Sequence, residues 1–178
     1  MAGPDLTKLQ LPNGFIAETR QICIVTRDLD AMVRRYADQL GIGPWWVNEY
    51  RPPDLFDTTY RGQAAPYSMR LALAWTGALN WEIIQPLDGP SIYHDYLERN
   101  QEGVQHVGVL LSDLGMNWDE CHRSFKARGF EAIQEGRWKR VRFCYYDTIA
   151  ATGTTIEVID RPADFERPAP LYWYPEPA

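Results

Sequence analysis

The sequence predicts an α+β protein built from two paired βαβββ modules. Two observations carry this. An apolar, strand-like run ending in Asp-Leu occurs twice, as Gln21–Leu29 and as His106–Leu114. Each run is followed by an amphipathic helical pattern, a glycine and then three strand-like segments, so the chain reads as an internal repeat.

Asp28 and Asp113 close the two runs and read as helix N-caps, since a short carboxylate accepts the first unpaired N–H groups. Leu29, Met32, Val33, Tyr36 and Leu40 then recur at helical spacing, as do Leu114, Trp118, Cys121 and Phe125. Gly41 and Gly129 stand where a left-handed residue ends a helix. The strands expected next are Trp45–Tyr50, Met69–Trp75 and Asn80–Gln85 in the first module. In the second they are Phe130–Gln134, Val141–Tyr146 and Thr154–Ile159. Gly77 and Gly153 mark the turns before the last strand of each half. With the two initial strands this makes eight. The first module covers about 19–87, a linker with a short helix over Ser91–Arg99 covers 88–102, and the second module covers 103–160. Residues 51–67, with Pro52, Pro53, Gly62 and Pro66, read as a rim loop or lid. The tail 161–178 holds five of the thirteen prolines together with Tyr172, Trp173 and Tyr174. It is expected to be irregular, and its aromatics leave open a place on its own module, on another subunit, or free.

At 178 residues, 45% hydrophobic and 24% charged, the chain has the composition of one globular domain. Its net charge of −6 argues against nucleic acid or an anionic membrane as partner. No apolar run reaches the length of a membrane span, and residues 1–20 lack the pattern of a signal peptide. Three cysteines, Cys23, Cys121 and Cys144, show neither disulfide nor paired metal spacing, so a reducing cytoplasm is expected. The 13% aromatic content suggests an aromatic-lined cavity for a small molecule.

Four polar residues interrupt the apolar strands at matching places. Gln21 and His106 begin the first strand of each half; Glu82 and Glu157 lie inside the last strand of each half. A repeat related by a pseudo-two-fold axis would bring the four together. Two carboxylates among Ile, Val and Trp would be costly to bury and would repel each other. One divalent ion removes both costs, and amide, imidazole and carboxylate donors suit Zn, Ni, Co, Mn or Mg. Pairing of the glutamates with Arg70, Arg140 or Arg142 is the purely structural alternative.

In the order and spacing of these pieces the chain resembles the vicinal oxygen chelate superfamily, which includes glyoxalase I, methylmalonyl-CoA epimerase, extradiol dioxygenases and antibiotic-resistance binding proteins. The resemblance covers residues 19–160 and rests on Gln21–Leu29, Leu40–Gly43, Trp81–Pro86, Gly103–Gly108 and Gly153–Glu157. It is most similar to epimerase-like members. It implies a cupped, mostly antiparallel eight-stranded sheet with helices outside and a metal in the cup. It assigns Gln21, Glu82, His106 and Glu157 as the ligands. The epimerase pattern more often has His first and Gln second; Gln, Glu, His, Glu is the set of some glyoxalase I enzymes. The resemblance further implies a metal-dependent isomerase, epimerase or lyase that stabilises an enolate or enediolate, with Glu157 as catalytic base and Glu49 near the place of a second base. A homodimer is expected from similar proteins. A non-catalytic binder of an aromatic ligand is the alternative from another class. An extradiol dioxygenase fits less well, because the other histidines, His94 and His122, fall in predicted helices. Arg51, Arg61, Arg70, Lys126, Arg128, Arg137, Lys139 and Arg140 are the basic residues that could hold a phosphate tail.

Overall fold

The structure, a computed structural model, describes Asp5, Leu11 and residues 14–99 and 101–178. In chain order the elements are β1 (Gln21–Val25), α1 (Leu29–Leu40), β2 (Trp45–Tyr50), β3 (Leu55–Tyr60), β4 (Gln63–Ala64), β5 (Met69–Thr76), β6 (Leu79–Pro86), α2 (Ile92–Arg99), β7 (Gly103–Leu110), α3 (Leu111–Leu114), α4 (Trp118–Ala127), β8 (Ala132–Trp138), β9 (Val141–Tyr146), α5 (Ile149–Thr152), β10 (Thr155–Asp160) and β11 (Tyr172–Tyr174). The strands form one sheet in the order β11-β2-β5-β6-β1-β7-β10-β9-β8-β3-β4.

The repeat is visible in the middle of that order. β1 and β7 pair antiparallel, and each pairs in parallel with the last strand of its own half, β6 or β10. All other pairings are antiparallel. Connectivity forces the sheet to curl. β2 and β3 stand near opposite ends of the strand order, yet residues 51–54 alone join them. A chain spans at most about 3.5 Å per residue, so the two ends of the sheet must approach each other. Tyr50 of β2 accordingly stacks on Trp138 of β8, with ring centroids 4.0 Å apart.

Strand alternation then sorts the core into layers. Cys23, Val25, Trp46, Tyr50, Leu71, Leu73, Ile84, Phe143 and Tyr145 face the inside of the cup. Ile24, Val47, Ala72, Ala74 and Ile83 face outward and pack with Leu29 and Val33 of α1. Val109, Cys144, Tyr146 and Val158 pack with Cys121 and Phe125 of α4. Asp28 caps α1 by accepting a 3.0 Å hydrogen bond from the Ala31 N–H, and Gly41 ends the helix at φ 68°, the left-handed conformation where glycine has no steric cost.

Three expectations are corrected. Among the described residues the sheet has eleven strands, not eight. Residues 51–67 are not a loop or lid: Leu55–Tyr60 forms β3 on the edge of β8, and β4 turns back on it. The run Leu-Phe-Asp-Thr-Thr-Tyr is rich in β-branched and aromatic residues, and its Leu55 is buried. The flanking prolines mark the ends of a hairpin arm rather than its absence. Third, Asp113 is not an N-cap. Gly115 at φ 65° breaks the second helix into α3 and α4, and Asn117 with Glu120 forms a capping box for α4. Asp113 instead pairs with Arg20 at 2.6 Å.

The tail lies on its own chain. β11 extends the sheet beside β2. Tyr172 bonds to Asp30 and Tyr174 to Asp38, both on α1, while the Trp46 indole donates to the Pro168 carbonyl at 3.0 Å.

Candidate metal and substrate site

The four sequence-predicted ligands meet inside the cup. Gln21 and Cys23 on β1, Glu82 on β6, His106 on β7 and Glu157 on β10 all occupy inward positions of their strands. The pairing shows the pseudo-symmetry: Cys23 is opposite Glu82 in one half, as Gly108 is opposite Glu157 in the other. Gln21 Nε2 donates to Glu82 Oε2 and to Glu157 Oε2, each at 2.9 Å. His106 Nε2 lies 3.2 Å from Glu82 Oε2 and 3.3 Å from Glu157 Oε2. Two nitrogens thus bridge the same two oxygens. As whole residues Gln21, Glu82, His106 and Glu157 are 6%, 6%, 0% and 4% exposed.

This donor set fits a divalent ion. Burial pushes the Glu82 carboxyl above its usual range, and the neighbouring Glu157 charge adds to this while His106 opposes it. Burial alone would lower the His106 imidazole, but hydrogen bonds and charge from Glu157 and Glu82 overcome it and raise it to about 9. Without metal, the imidazolium is the one cation among the described residues in contact with the two buried carboxylates, so the second charge is met only by a proton on Glu82 or by the more distant Arg167. A buried uncompensated charge costs several kcal/mol. A divalent ion with neutral imidazole balances both. The Gln21 amide, turned over, presents Oε1 at the same point, its N and O being assigned from the hydrogen bonds.

His106 is oriented from behind. Its Nδ1 lies 2.6 Å from Gln105 Oε1, which holds the Nδ1–H tautomer and leaves Nε2 to face the carboxylates. Gln105 is placed by a register shift between β1 and β7, where Cys23 pairs with His106 but Ile24 pairs with Val104. The sequence reading did not single out Gln105, Gly108 or Cys23. Cys23 is fully buried, and its ligand atom lies within 4.8 Å of those of Glu82 and His106. Burial and the two glutamates push its thiol well above the usual range. Its inward position two residues after Gln21 is the signal that could have found it. Both strands also show why the purely structural alternative fails: Arg70, Arg140 and Arg142 pair with Asp30, Asp164 and Asp160, not with the glutamates.

Glu49 is not with the others. It shares the outward face of β2 with Trp45 and Val47, is paired across the strands with Arg70, and makes an ion pair with Arg51. His94 and His122 lie on α2 and α4.

Above the quartet opens a cavity of about 210 Å³. Leu71, Leu73, Trp138, Phe143 and Tyr145 give it apolar walls, and Glu82 and Glu157 are its only carboxylates among the described residues. None of the eight basic residues picked out for a phosphate tail lines it; most are held by acids, as Arg61 is by Asp95, Arg137 by Asp57 and Lys139 by Asp54. The arginines that do line it are Arg20, Arg161 and Arg167.

Residues 20–145 match the family model of the Glyoxalase/Bleomycin resistance protein/Dioxygenase superfamily, and the chain belongs to that superfamily. Among curated proteins, none matches the chain in sequence. Among solved structures, methylmalonyl-CoA epimerase from Mycobacterium tuberculosis is similar with a TM-score of 0.62 and 20% identity, over 89% of this chain and 96% of that one. A hypothetical protein from Bacillus halodurans gives 0.61 and 16%, over 84% and 98%. A variant of Streptomyces coelicolor methylmalonyl-CoA epimerase in complex with 2-nitronate-propionyl-CoA gives 0.56 and 19%, over 85% and 98%. At these identities the likeness is one of fold. Among the described residues no helix is long and apolar enough to cross a membrane.

Proposed function

We propose that the chain is a metal-dependent isomerase that moves a proton at the carbon beside a carbonyl of a small carbonyl or carboxylic substrate. The observation that carries this is the buried quartet, in which Gln21 and His106 each bridge Glu82 and Glu157 at 2.9–3.3 Å. Gln21, Glu82, His106 and Glu157 would hold the ion. A divalent ion there would supply Lewis-acid polarisation of the substrate carbonyl.

The residues of the chain do the rest. Glu157 lines the cavity and makes its hydrogen bonds through Oε2, so Oε1 is the atom offered to a substrate C–H as general base. His106, locked by Gln105, keeps the Oε2 atoms of both glutamates in place. The apolar walls exclude water and strengthen every charge interaction within. Because Glu49 faces away from the cup and no third carboxylate lines the cavity among the described residues, a proton shuttled on one face fits better than an epimerisation with a separate acid and base on opposite faces. That methylmalonyl-CoA epimerases share the fold supports chemistry beside a carbonyl.

The test has two parts. Protein purified without chelator and offered Zn²⁺, Ni²⁺, Co²⁺ and Mn²⁺ should take up about one ion per chain. A panel of 2-oxo-hemithioacetals, acyl thioesters and aryl keto acids, followed by NMR in D₂O, should contain at least one member whose α-hydrogen exchanges. Failure of metal uptake removes the site; uptake without exchange favours a binding protein.

A further inference from the structure

The cavity has a buried acidic floor and a basic opening, and two of its three arginines come from the tail. Arg161 is exposed and Arg167 half-buried, whereas the glutamates below are almost wholly buried. Of the three arginines lining the cavity, Arg20 is held by Asp113 at 2.6 Å and by Glu18. Arg161 and Arg167 have no carboxylate partner among the described residues. Burial pulls the Arg167 guanidinium below its ordinary value and the Arg161 charge adds to this, while Tyr50 and Glu82 oppose it without an ion pair.

Two like charges are not left facing one cavity by accident of a loose tail. Arg167 lies 5.0 Å over the Trp75 ring. The chain that follows is pinned by the Trp46–Pro168 hydrogen bond at 3.0 Å, by the Leu171 N–H donating to the Val47 carbonyl at 2.8 Å, and by β11. Pro168 and Pro170 stiffen the segment further. The Arg167 guanidinium, held in place with no ion pair of its own among the described residues and with Arg161 lining the same cavity, is preorganised for an anion, and guanidinium geometry matches a carboxylate. The cavity's 210 Å³ is below the range usual for drug-sized ligands, and its walls are apolar.

We infer that Arg161 and Arg167, the latter over the Trp75 ring, form a carboxylate-recognition subsite, and that the ligand is a compact organic acid whose apolar or aryl body lies against Leu71, Trp138 and Phe143. This rests on the proposed function only in taking the cup as the substrate site. Arg20 is already held by Asp113 and Glu18, so among the described residues the tail supplies the cavity's free positive charges and sets which substrates are accepted.

The probe is phenylacetate, with neutral phenylacetamide as its match, titrated into chelator-treated and Zn²⁺-loaded protein by calorimetry. The acid should bind at least about tenfold more tightly than the amide in both forms, as charge-assisted hydrogen bonds imply. Arg161→Met and Arg167→Met should each reduce that preference, and the double variant should bring the two ligands within about twofold. Arg167→Lys should retain part of it. Amide affinity should stay unchanged throughout, which shows that the cavity is intact. In chelator-treated protein, equal binding of acid and amide to wild type, or a preference that survives in the double variant, overturns the subsite. Tighter binding of inorganic phosphate or adenosine 3′,5′-bisphosphate than of phenylacetate also overturns it, in favour of a phosphate site. Because the chelator-treated protein carries the measurement, failed metal uptake would undo the proposed function and leave this result standing; acid binding that fails in protein that takes up metal would do the reverse.

Discussion

Gly108 on β7 faces Gln21 on β1 so closely that a Cβ at Gly108 would lie 2.9 Å from the Gln21 Cβ and 3.3 Å from Glu157 Oε2. The glycine is required for space, not for backbone conformation. It lets the two halves of the repeat approach until Gln21 of β1 and Glu157 of β10 touch. Gly108→Ala should therefore push Gln21 and Glu157 apart while the sheet stays paired. We expect metal affinity to fall by about 10–100-fold, comparable to loss of a supporting contact, with far-ultraviolet circular dichroism unchanged. Wild-type affinity in a competition titration would show that the strands yield freely there.

Gln105 and Gln21 separate orientation from ligation. Gln105→Leu removes the acceptor 2.6 Å from His106 Nδ1 but no donor of the quartet. It should lower metal affinity by about 10–100-fold. Gln21→Leu removes a donor and should weaken binding at least as much, whereas Gln21→His should retain it, since imidazole replaces an amide oxygen at similar reach. A Gln21→Leu protein that binds metal as wild type does would exclude Gln21 from the site.

The quartet was legible in the sequence because polarity inside apolar strands is conspicuous, and because the repeat put Gln21 with His106 and Glu82 with Glu157. What the sequence hid was context. β3 was masked by the prolines before it and by its exposed Phe56 and Asp57, which break the inward–outward alternation. The split between α3 and α4 was masked because Leu114, Trp118, Cys121 and Phe125 continue in helical register across Gly115. Glu49 stood in the right stretch of sequence for a second base, but one residue of strand parity places it on the outer face, where Arg70 lies across from it. Arg161 and Arg167 carry no signal in the sequence, because only the course of the tail beside β2 brings them to the cavity.

The tail should loosen in acid. The Asp30 carboxylate accepts two 2.9 Å hydrogen bonds from Arg70 and one from Tyr172. The Arg70 hydrogen bonds hold it below the usual Asp value against desolvation, helped by Tyr172 and the charges of Arg70 and Arg34. A carboxyl lowered on folding contributes stability above its unfolded value and loses it as pH falls through its folded value. The window therefore lies below about pH 4. Asp30 is 47% exposed at its side chain, so the contribution is small, about 0.5–1 kcal/mol after solvent screening. At pH 7, Asp30→Asn should raise amide exchange across Tyr172–Tyr174 and lower stability slightly. Wild type and variant should converge on acidification below about pH 4. A difference that persists unchanged at about pH 2.5, well under the ordinary Asp value, would place the effect on something other than this carboxylate.

Glu157→Gln addresses the chemistry directly. The substitution keeps an oxygen within reach of the quartet and keeps the volume of a side chain that is 5% exposed, but removes the basic group. α-Hydrogen exchange of a responsive substrate should then fall by about 10²–10⁴-fold, the usual span for a positioned general base. Metal content is measured on the same preparation, because the amide carries no charge and the site would hold one carboxylate fewer against the ion. Glu49→Gln serves as the contrast. Glu49 lies on the outer face of β2 beside Arg51, so its loss should leave exchange within about twofold, as surface substitutions away from a site do. Exchange that survives Glu157→Gln in metal-loaded protein would move the base to Glu82, the remaining carboxylate of the cavity among the described residues. A large loss in Glu49→Gln would instead mean that the outer face of β2 governs the chemistry, which the present strand parity does not allow.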